Sequence, residues 1–329
     1  MLNVAIHGMG NWGRKLIECV AGSEKIKFVC GITRNPDAHR EYATKMGLAL
    51  SSSYEAVLAD KSIDAVVLAT PHSHHEAQVV AAAKAGKPVY VEKPMALTQV
   101  SAQRAVDATR AAGVTLGLGF NRRYAPSFIE MMKRIRAGEI GDVLQVEGHH
   151  SGPTGYKLKG DSWRATRVEA PGGGMTARGI HTLDSMLQAA GGVVTSVYAF
   201  SDKRKIAADV DMDDNTSMLL KFSNGVTGYL GVCFVTGELY RVHVFGSKGW
   251  LEMRGDTELV SCALEGKPQR HTLEAVDKER AVLEAFADAV AAKQPYMVVP
   301  EQAVNGIAVL DSIEKSAKSG EPIKITITM

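Results

Sequence analysis

Two rhythms of apolar residues run along this chain. Over roughly the first 120 residues, short aliphatic and β-branched runs alternate with stretches whose apolar positions recur at helical spacing. Leu2–His7, Ile26–Thr33, Ile63–Ala69, Pro88–Glu92 and Thr115–Gly119 read as strands. Ile63–Ala69 is almost continuously apolar, as a strand buried on both sheet faces must be. Between the strands, Leu16, Ile17, Val20 and Ala21 mark a helix, and Ala38–Met46, Tyr54–Ala59, Glu76–Ala85 and Gln99–Ala112 read as further helices. This alternation is the βαβ pattern of a doubly wound parallel sheet in an α/β fold. Past residue 140 the rhythm changes. Strand-like runs follow one another at Val143–His149, Val193–Ser201, Thr216–Phe222, Val226–Cys233, Tyr240–Gly246, Gly249–Met253 and Thr257–Cys262. Ser223-Asn224-Gly225 between two of them is a hairpin signal.

The 329 residues, 45% of them hydrophobic, suggest two domains with real cores and exclude disorder for most of the chain. With 38 basic and 36 acidic residues the formal charge is only +2, and no long Lys/Arg block offers a footprint for nucleic acid. No apolar run approaches the roughly 18–20 residues that span a bilayer. The N-terminal residues enter a core strand directly and lack the features of a signal peptide. Cys19, Cys30, Cys233 and Cys262 are scattered, which argues against a disulfide framework. A cytoplasmic protein is the expectation, without nucleic-acid or membrane partners.

Gly8-Met9-Gly10-Asn11-Trp12-Gly13 stands between the first strand and the first helix. In that context a G-x-G-x-x-G is a dinucleotide fingerprint. Gly8 permits the tight turn, Gly10 lets the backbone approach a pyrophosphate, and Gly13 permits close packing of helix on strand. The helix start at Asn11 and Trp12 supplies unpaired N–H groups to the phosphates. About 20 positions past the last glycine, where NAD-binding sequences carry an acid, this chain has Thr33 and Arg34. No carboxylate repels a 2′-phosphate there, and a hydroxyl beside a guanidinium suits one. NADP(H) is favoured, with NAD(H) as the alternative.

Further motifs follow in order. They are Ala69-Thr70-Pro71-His72-Ser73-His74-His75, Ala85-Gly86-Lys87-Pro88-Val89-Tyr90-Val91-Glu92-Lys93-Pro94, Asn121-Arg122-Arg123-Tyr124, and Pro171-Gly172-Gly173-Gly174 ahead of Gly179-Ile180-His181-Thr182-Leu183-Asp184. Together they resemble the Gfo/Idh/MocA family of NAD(P)-dependent oxidoreductases, over essentially the whole chain. The resemblance implies a Rossmann domain over 1–120, then a substrate-binding and oligomerisation domain over 121–329 with a large, mostly antiparallel open sheet. Pro126–Ala137 and Lys278–Ala292 are expected to cover one face of that sheet, with Glu301–Ser319 as a final helix. The other face is expected to meet a second subunit in a dimer or tetramer.

The family chemistry is reversible hydride transfer between C4 of a nicotinamide and a CH–OH carbon, which needs a proton carrier and a positive group at the oxygen. By resemblance, Lys93 hydrogen-bonds the reacting oxygen and His181 serves as proton acceptor or substrate ligand, and a cis Lys93–Pro94 bond is expected. Thr70, Pro71 and His74 fall in the loop the family uses near the cofactor, and Glu92 joins them. Many family members carry an aspartate four residues before this histidine, but this chain has Ala177. The proton path is thus open between Lys93, His181 and the two sharing one proton. Asp184, three residues on and at a spacing that can share a helical face with His181, more often binds substrate or orients the site in the family. Arg122, Tyr124, His150, Trp163 and Arg164 complete the candidate substrate ligands. Their positive charge suits a carboxylated cyclic diol or hemiacetal, beside a neutral sugar or cyclitol.

Two tempting metal signals fail. His72, His74 and His75 lack a completing Cys or carboxylate, and Asp209–Asp213 resembles an EF-hand start but has Asp214 where glycine is required and Leu220 in place of the closing glutamate. That acidic stretch reads as a solvated connection. The same fold also hosts hydrolases or lyases that hold the nicotinamide for transient oxidation, and non-enzymatic NADP sensors. Retention of Lys93 and His181 argues against the sensor, and a hydrolase or lyase would be expected to co-purify with its cofactor and show no net reduction of added NADP.

Overall fold

The computed structural model describes residues 1–292 and 295–326. They divide into two compact units: Met1–Ala96, Val100–Asn121 and Asp277–Pro300 form the first, and Leu97–Gln99, Arg122–Val276 and the chain from Glu301 onward form the second.

The first unit runs β1 (Leu2–His7), α1 (Asn11–Cys19), β2 (Ile26–Ile32), α2 (Arg40–Met46), β3 (Ala49–Ser51), α3 (Tyr54–Ala59), β4 (Ala65–Leu68), α4 (His75–Lys84), β5 (Val89–Val91), α5 (Gln99–Ala112) and β6 (Leu116–Leu118). Its six strands are parallel in the order β3-β2-β1-β4-β5-β6. The order reverses at β1, the switch point at which doubly wound sheets bind ligands. All four residues of β4 are buried, as its unbroken apolar run requires. The three-residue β3 has no apolar run long enough to announce it.

The second unit holds α6 (Pro126–Arg136), β7 (Val143–Ser151), α7 (Ile180–Ala190), β8 (Val194–Asp202), β9 (Asn215–Phe222), β10 (Thr227–Cys233), β11 (Leu239–Gly246), β12 (Gly249–Arg254), β13 (Glu258–Ala263) and β14 (Gln269–Thr272). After α8 (Lys278–Val290), the chain ends in α9 (Pro300–Ser319) and β15 (Ile323–Lys324). The nine strands run β14-β13-β12-β11-β7-β10-β9-β8-β15, antiparallel except for β7 beside β10. β9 and β10 form the hairpin expected at Ser223-Asn224-Gly225, with Gly225 at φ +90°. α6 lies against β12 and β13, and α7 against β7 and β11. Among the described residues no helix is long and apolar enough to cross a membrane.

Two expectations need correction. The helix at Lys278–Ala292 does not cover the second sheet. As α8 it joins the first unit, against α1 and β2. Its Phe286 fills the space that Gly117 leaves free, edge-on to Tyr90 with ring centroids 5.8 Å apart. Lys15–Glu279 and Lys25–Asp288 ion pairs, each 2.7 Å, and a 2.8 Å hydrogen bond from Ser23 to Glu284 fix it there. An amphipathic pattern shows that a face is buried, and not what it is buried against. The acidic stretch before β9 is not a simple solvated connection either. Arg167 takes both oxygens of Asp213, at 2.6 and 3.0 Å. The fully buried Asp214 accepts the backbone N–H groups of Arg204, Lys205 and Ile206. Burial works against the charge of Asp213, but Arg167 and Ser201 outweigh it and hold the carboxyl below its ordinary range.

Candidate active site

In the first unit the glycines of the fingerprint divide their work as the motif predicts. Gly8 has φ +110°, and a Cβ there would strike the carbonyl of Ala69. A Cβ on Gly13 would strike the carbonyl of Gly8, so α1 can lie this close to the β1 turn only with glycine. Gly10 faces open space. α1 starts at Asn11 with no capping side chain and no acid in its first turn, leaving its N–H groups and positive dipole end to an anion. These residues fit a dinucleotide pyrophosphate. At the end of β2, the Thr33 N–H donates to Ser51 O and its hydroxyl accepts from the Asn35 N–H. Arg34 is exposed and pairs with no acid among the described residues.

Beyond β4, the Thr70 hydroxyl donates to Gln78 Oε1 at 2.7 Å, and Gln78 Nε2 donates to His7 Nδ1 at 3.2 Å. Burial first, then neighbouring His74, pushes His7 down to about 4, so it is a neutral acceptor. Pro71 leads a short turn over His72–His74, which leaves His74 exposed. His75 is fully buried, with Nδ1 2.7 Å from Pro94 O and Nε2 3.0 Å from Thr70 O. It thereby ties the loop after β4 to the turn carrying Lys93, where the Lys93–Pro94 bond is cis. Glu92 is buried. Its carboxylate accepts from the Tyr90 hydroxyl at 3.3 Å and the Lys93 N–H at 3.4 Å. Burial raises its pKa, opposed by Trp12 and Lys93, and the Trp12 indole acts on it without completing a hydrogen bond of good geometry. Glu92 therefore supports Lys93 from within the unit. A Cβ on Gly119 would collide with that carboxylate, 2.7 Å from Oε2. Neither Gly119 nor the tying role of His75 was read from the sequence. A glycine closing a strand was the one available signal.

In the second unit His181 is the second residue of α7, directly after a π-helical turn at Met175–Gly179. Gly148 on β7 leaves room for Thr182 and Met186, which sets α7 close to the strand. His150, buried on β7, has its ring 6.4 Å from that of His181 and 4.7 Å from that of Tyr240. Its Nδ1 donates to Arg178 O at 2.9 Å. The π turn carries an extra residue per turn, so counting four back from His181 does not follow an α-helical face there. Ala177 packs instead against an apolar cluster containing Ala165, Val210 and Phe234.

The charged candidates are engaged. Both oxygens of Asp184 are held by Arg123, at 2.7 and 2.8 Å, in a buried pair that Gln302 extends at 3.1 Å. Asp184 thus anchors α7 to the turn after Asn121. Arg122 pairs with Asp256 at 2.7 Å and lies 4.0 Å from the Tyr240 ring centroid. Arg178 reaches Ser151 O, Thr154 and Glu238. Arg164 lies 4.2 Å over the Trp163 ring. The buried hydroxyl of Tyr124 has no hydrogen-bond partner among the described residues, and burial raises it to about 12. Among the described residues no group of three or more His, Cys, Asp or Glu is placed to hold a metal ion.

Comparison with known proteins agrees with this layout. Residues 2–120 match the oxidoreductase family with an NAD-binding Rossmann fold, and residues 128–252 match the GFO/IDH/MocA C-terminal domain. D-xylose 1-dehydrogenase (NADP(+)) 2 of Haloferax volcanii is 29% identical, over 83% of this chain and 84% of its own. The scyllo-inositol 2-dehydrogenase (NAD(+)) of Bacillus subtilis is 28% identical, over 74% and 71%. A crystal structure from Desulfitobacterium hafniense DCB-2, provisionally assigned as an NADPH-dependent oxidoreductase, superposes with a TM-score of 0.90 at 26% identity, covering 98% of this chain and 97% of that one. A six-stranded parallel unit carrying the dinucleotide fingerprint, followed by a nine-stranded, mostly antiparallel one, places this chain in the Gfo/Idh/MocA family of NAD(P)-dependent oxidoreductases.

Proposed function

We propose that the protein is a dehydrogenase or reductase that prefers NADP(H) and acts on the CH–OH group of a neutral sugar or cyclitol. The distribution of arginines carries this reading. At the end of β2 stands Arg34, which pairs with no acid among the described residues, at the position where NAD-binding sequences carry a carboxylate. In the second unit, by contrast, Arg122, Arg123 and Arg178 already hold Asp256, Asp184 and Glu238. That pairing compensates these three guanidinium groups within the protein and favours an uncharged substrate over a carboxylated one. A xylose and an inositol dehydrogenase among the relatives support the same class.

Bound nicotinamide would supply the hydride acceptor or donor. The chain supplies the rest. Gly8, Gly10, Gly13 and the start of α1 hold the pyrophosphate, and Thr33 and Arg34 take the ribose phosphate. Thr70, Pro71 and the turn at Lys93 border the nicotinamide. Lys93 orients the substrate oxygen and steadies its developing charge, with Glu92 and His75 fixing its turn. His181 moves the hydroxyl proton. Its neighbour His150, with Nδ1 committed to Arg178 O, keeps one tautomer when neutral, while Tyr124, Tyr240 and Trp163 offer surfaces for a polyol. Lys93→Ala should lower kcat by about 10²–10⁴ while leaving the NADPH Kd within about threefold. Near-normal turnover on any neutral polyol that the wild type oxidises would overturn the role of Lys93.

The chain is also proposed to self-associate through the second sheet. Phe200 and Leu219, 61% and 57% exposed, share one face with Tyr198 and Tyr229. Sedimentation as a monomer would overturn this.

A further inference from the structure

We propose that Arg14 is a second recognition residue for the 2′-phosphate, held ready by Tyr42 and His39. The proposal rests on the NADP(H) reading above. Arg14 directly follows Gly13 in the first turn of α1, yet its side chain leaves that helix and crosses to the β2–α2 connection. Its guanidinium carbon stands 4.5 Å from the centroid of the Tyr42 ring. Its NH2 group lies 3.2 Å from His39 Nδ1. The Tyr42 hydroxyl fastens the platform back onto α1, through Arg14 O at 3.2 Å and Glu18 Oε1 at 3.1 Å. Arg14 thus reaches the segment that follows Thr33 and Arg34, through His39 and Tyr42. The end of β2 is where a doubly wound sheet places the adenosine ribose.

The chemistry of the contacts shows what Arg14 is available for. A guanidinium only donates, so His39 Nδ1 must accept, and the imidazole is neutral with its proton on Nε2. Burial and the charge of Arg14 itself favour that form. A neutral imidazole and an aromatic face hold a cation without neutralising it. Nε and NH1 of Arg14 bind nothing among the described residues, and no carboxylate pairs with it. Arg40, in the same connection, differs because Asp37 holds it. A guanidinium stacked on one face, with free donors along its edge, is arranged for a phosphate and has already lost much of its rotamer freedom.

The test is a fluorescence titration with NADPH, NADH, 2′,5′-ADP and AMP, on the wild type, Arg14→Met and Arg14→Lys. Arg14→Met should weaken NADPH and 2′,5′-ADP by about ten- to hundredfold and leave NADH and AMP within about twofold. Arg14→Lys, which keeps the charge and loses the fork, should fall between. Equal weakening of all four ligands would make Arg14 a brace between α1 and α2, and unchanged affinities would remove it from the site. Either result overturns the proposal. A wild type that binds 2′,5′-ADP no better than AMP would defeat the NADP(H) reading itself. A wild type that prefers it, with the preference intact in Arg14→Met, defeats only the role of Arg14. Should Arg14→Met melt early, His39→Leu gives the same reading, with a several-fold loss of preference expected and an unchanged preference overturning it.

Discussion

Around the fingerprint of the first unit, Arg14 and Arg34 pair with no carboxylate among the described residues, whereas in the second unit Arg122, Arg123, Arg167 and Arg178 each close on one. The same side chain is used for two purposes. An unpaired guanidinium held by neutral groups keeps its charge for an arriving anion. A paired one spends its donors inside the protein and shapes a surface without adding net field. On the proposed reading, the first unit keeps its guanidinium groups for phosphate and the second uses its own to shape a surface for an uncharged molecule. Counting arginines along the chain gives no hint of this, because the difference lies in which of them find acids after folding.

The buried pair is the sharpest place to break the contrast. Asp184→Ala should cost about 3–5 kcal/mol of stability, because it strands the buried charge of Arg123. Thermal or denaturant unfolding reads it, and a loss below about 1 kcal/mol would mean that Arg123 does not depend on its partner. Arg34→Ala comes next. It should weaken NADPH by about ten- to hundredfold with little change for NADH, and an equal effect on both would place Arg34 outside the phosphate site. The smallest effect concerns His7, which burial keeps neutral. Its folded pKa is lowered to about 4, so the unfolded chain takes up the proton first as pH falls. This contribution to stability should decline between about pH 6.5 and pH 4. His7→Asn should flatten the decline over that window, and an unchanged slope would show that His7 does not titrate as its burial implies.

Much of this was legible in the sequence, and the remainder had a common cause. The β4 run, the G-x-G-x-x-G turn and the Ser223-Asn224-Gly225 hairpin are local, so their apolar spacing and glycines sufficed. The Arg123–Asp184 pair joins residues 61 apart, and Arg14 meets His39 across 25. No local pattern reports either. The π turn before His181 escaped for a related reason. Helical arithmetic assumes a constant period, and Met175–Gly179 departs from it where Ala177 stands. The two-residue β15 and four-residue β14 lie below the length at which alternation can be recognised.

The return of α8 to the first unit has a consequence for biosynthesis. When about 120 residues have left the ribosome, the parallel sheet can assemble, but the helix that supplies Val282, Leu283 and Phe286 is still unmade. The nucleotide-binding unit must wait through the synthesis of more than 150 further residues, with the groove at Gly117 and Tyr90 unfilled, before Phe286 arrives. A fragment cut after Asn121 would carry every fingerprint glycine and still expose an apolar seam to aggregation. Splicing residues 277–300 onto it through a flexible linker would restore the missing wall.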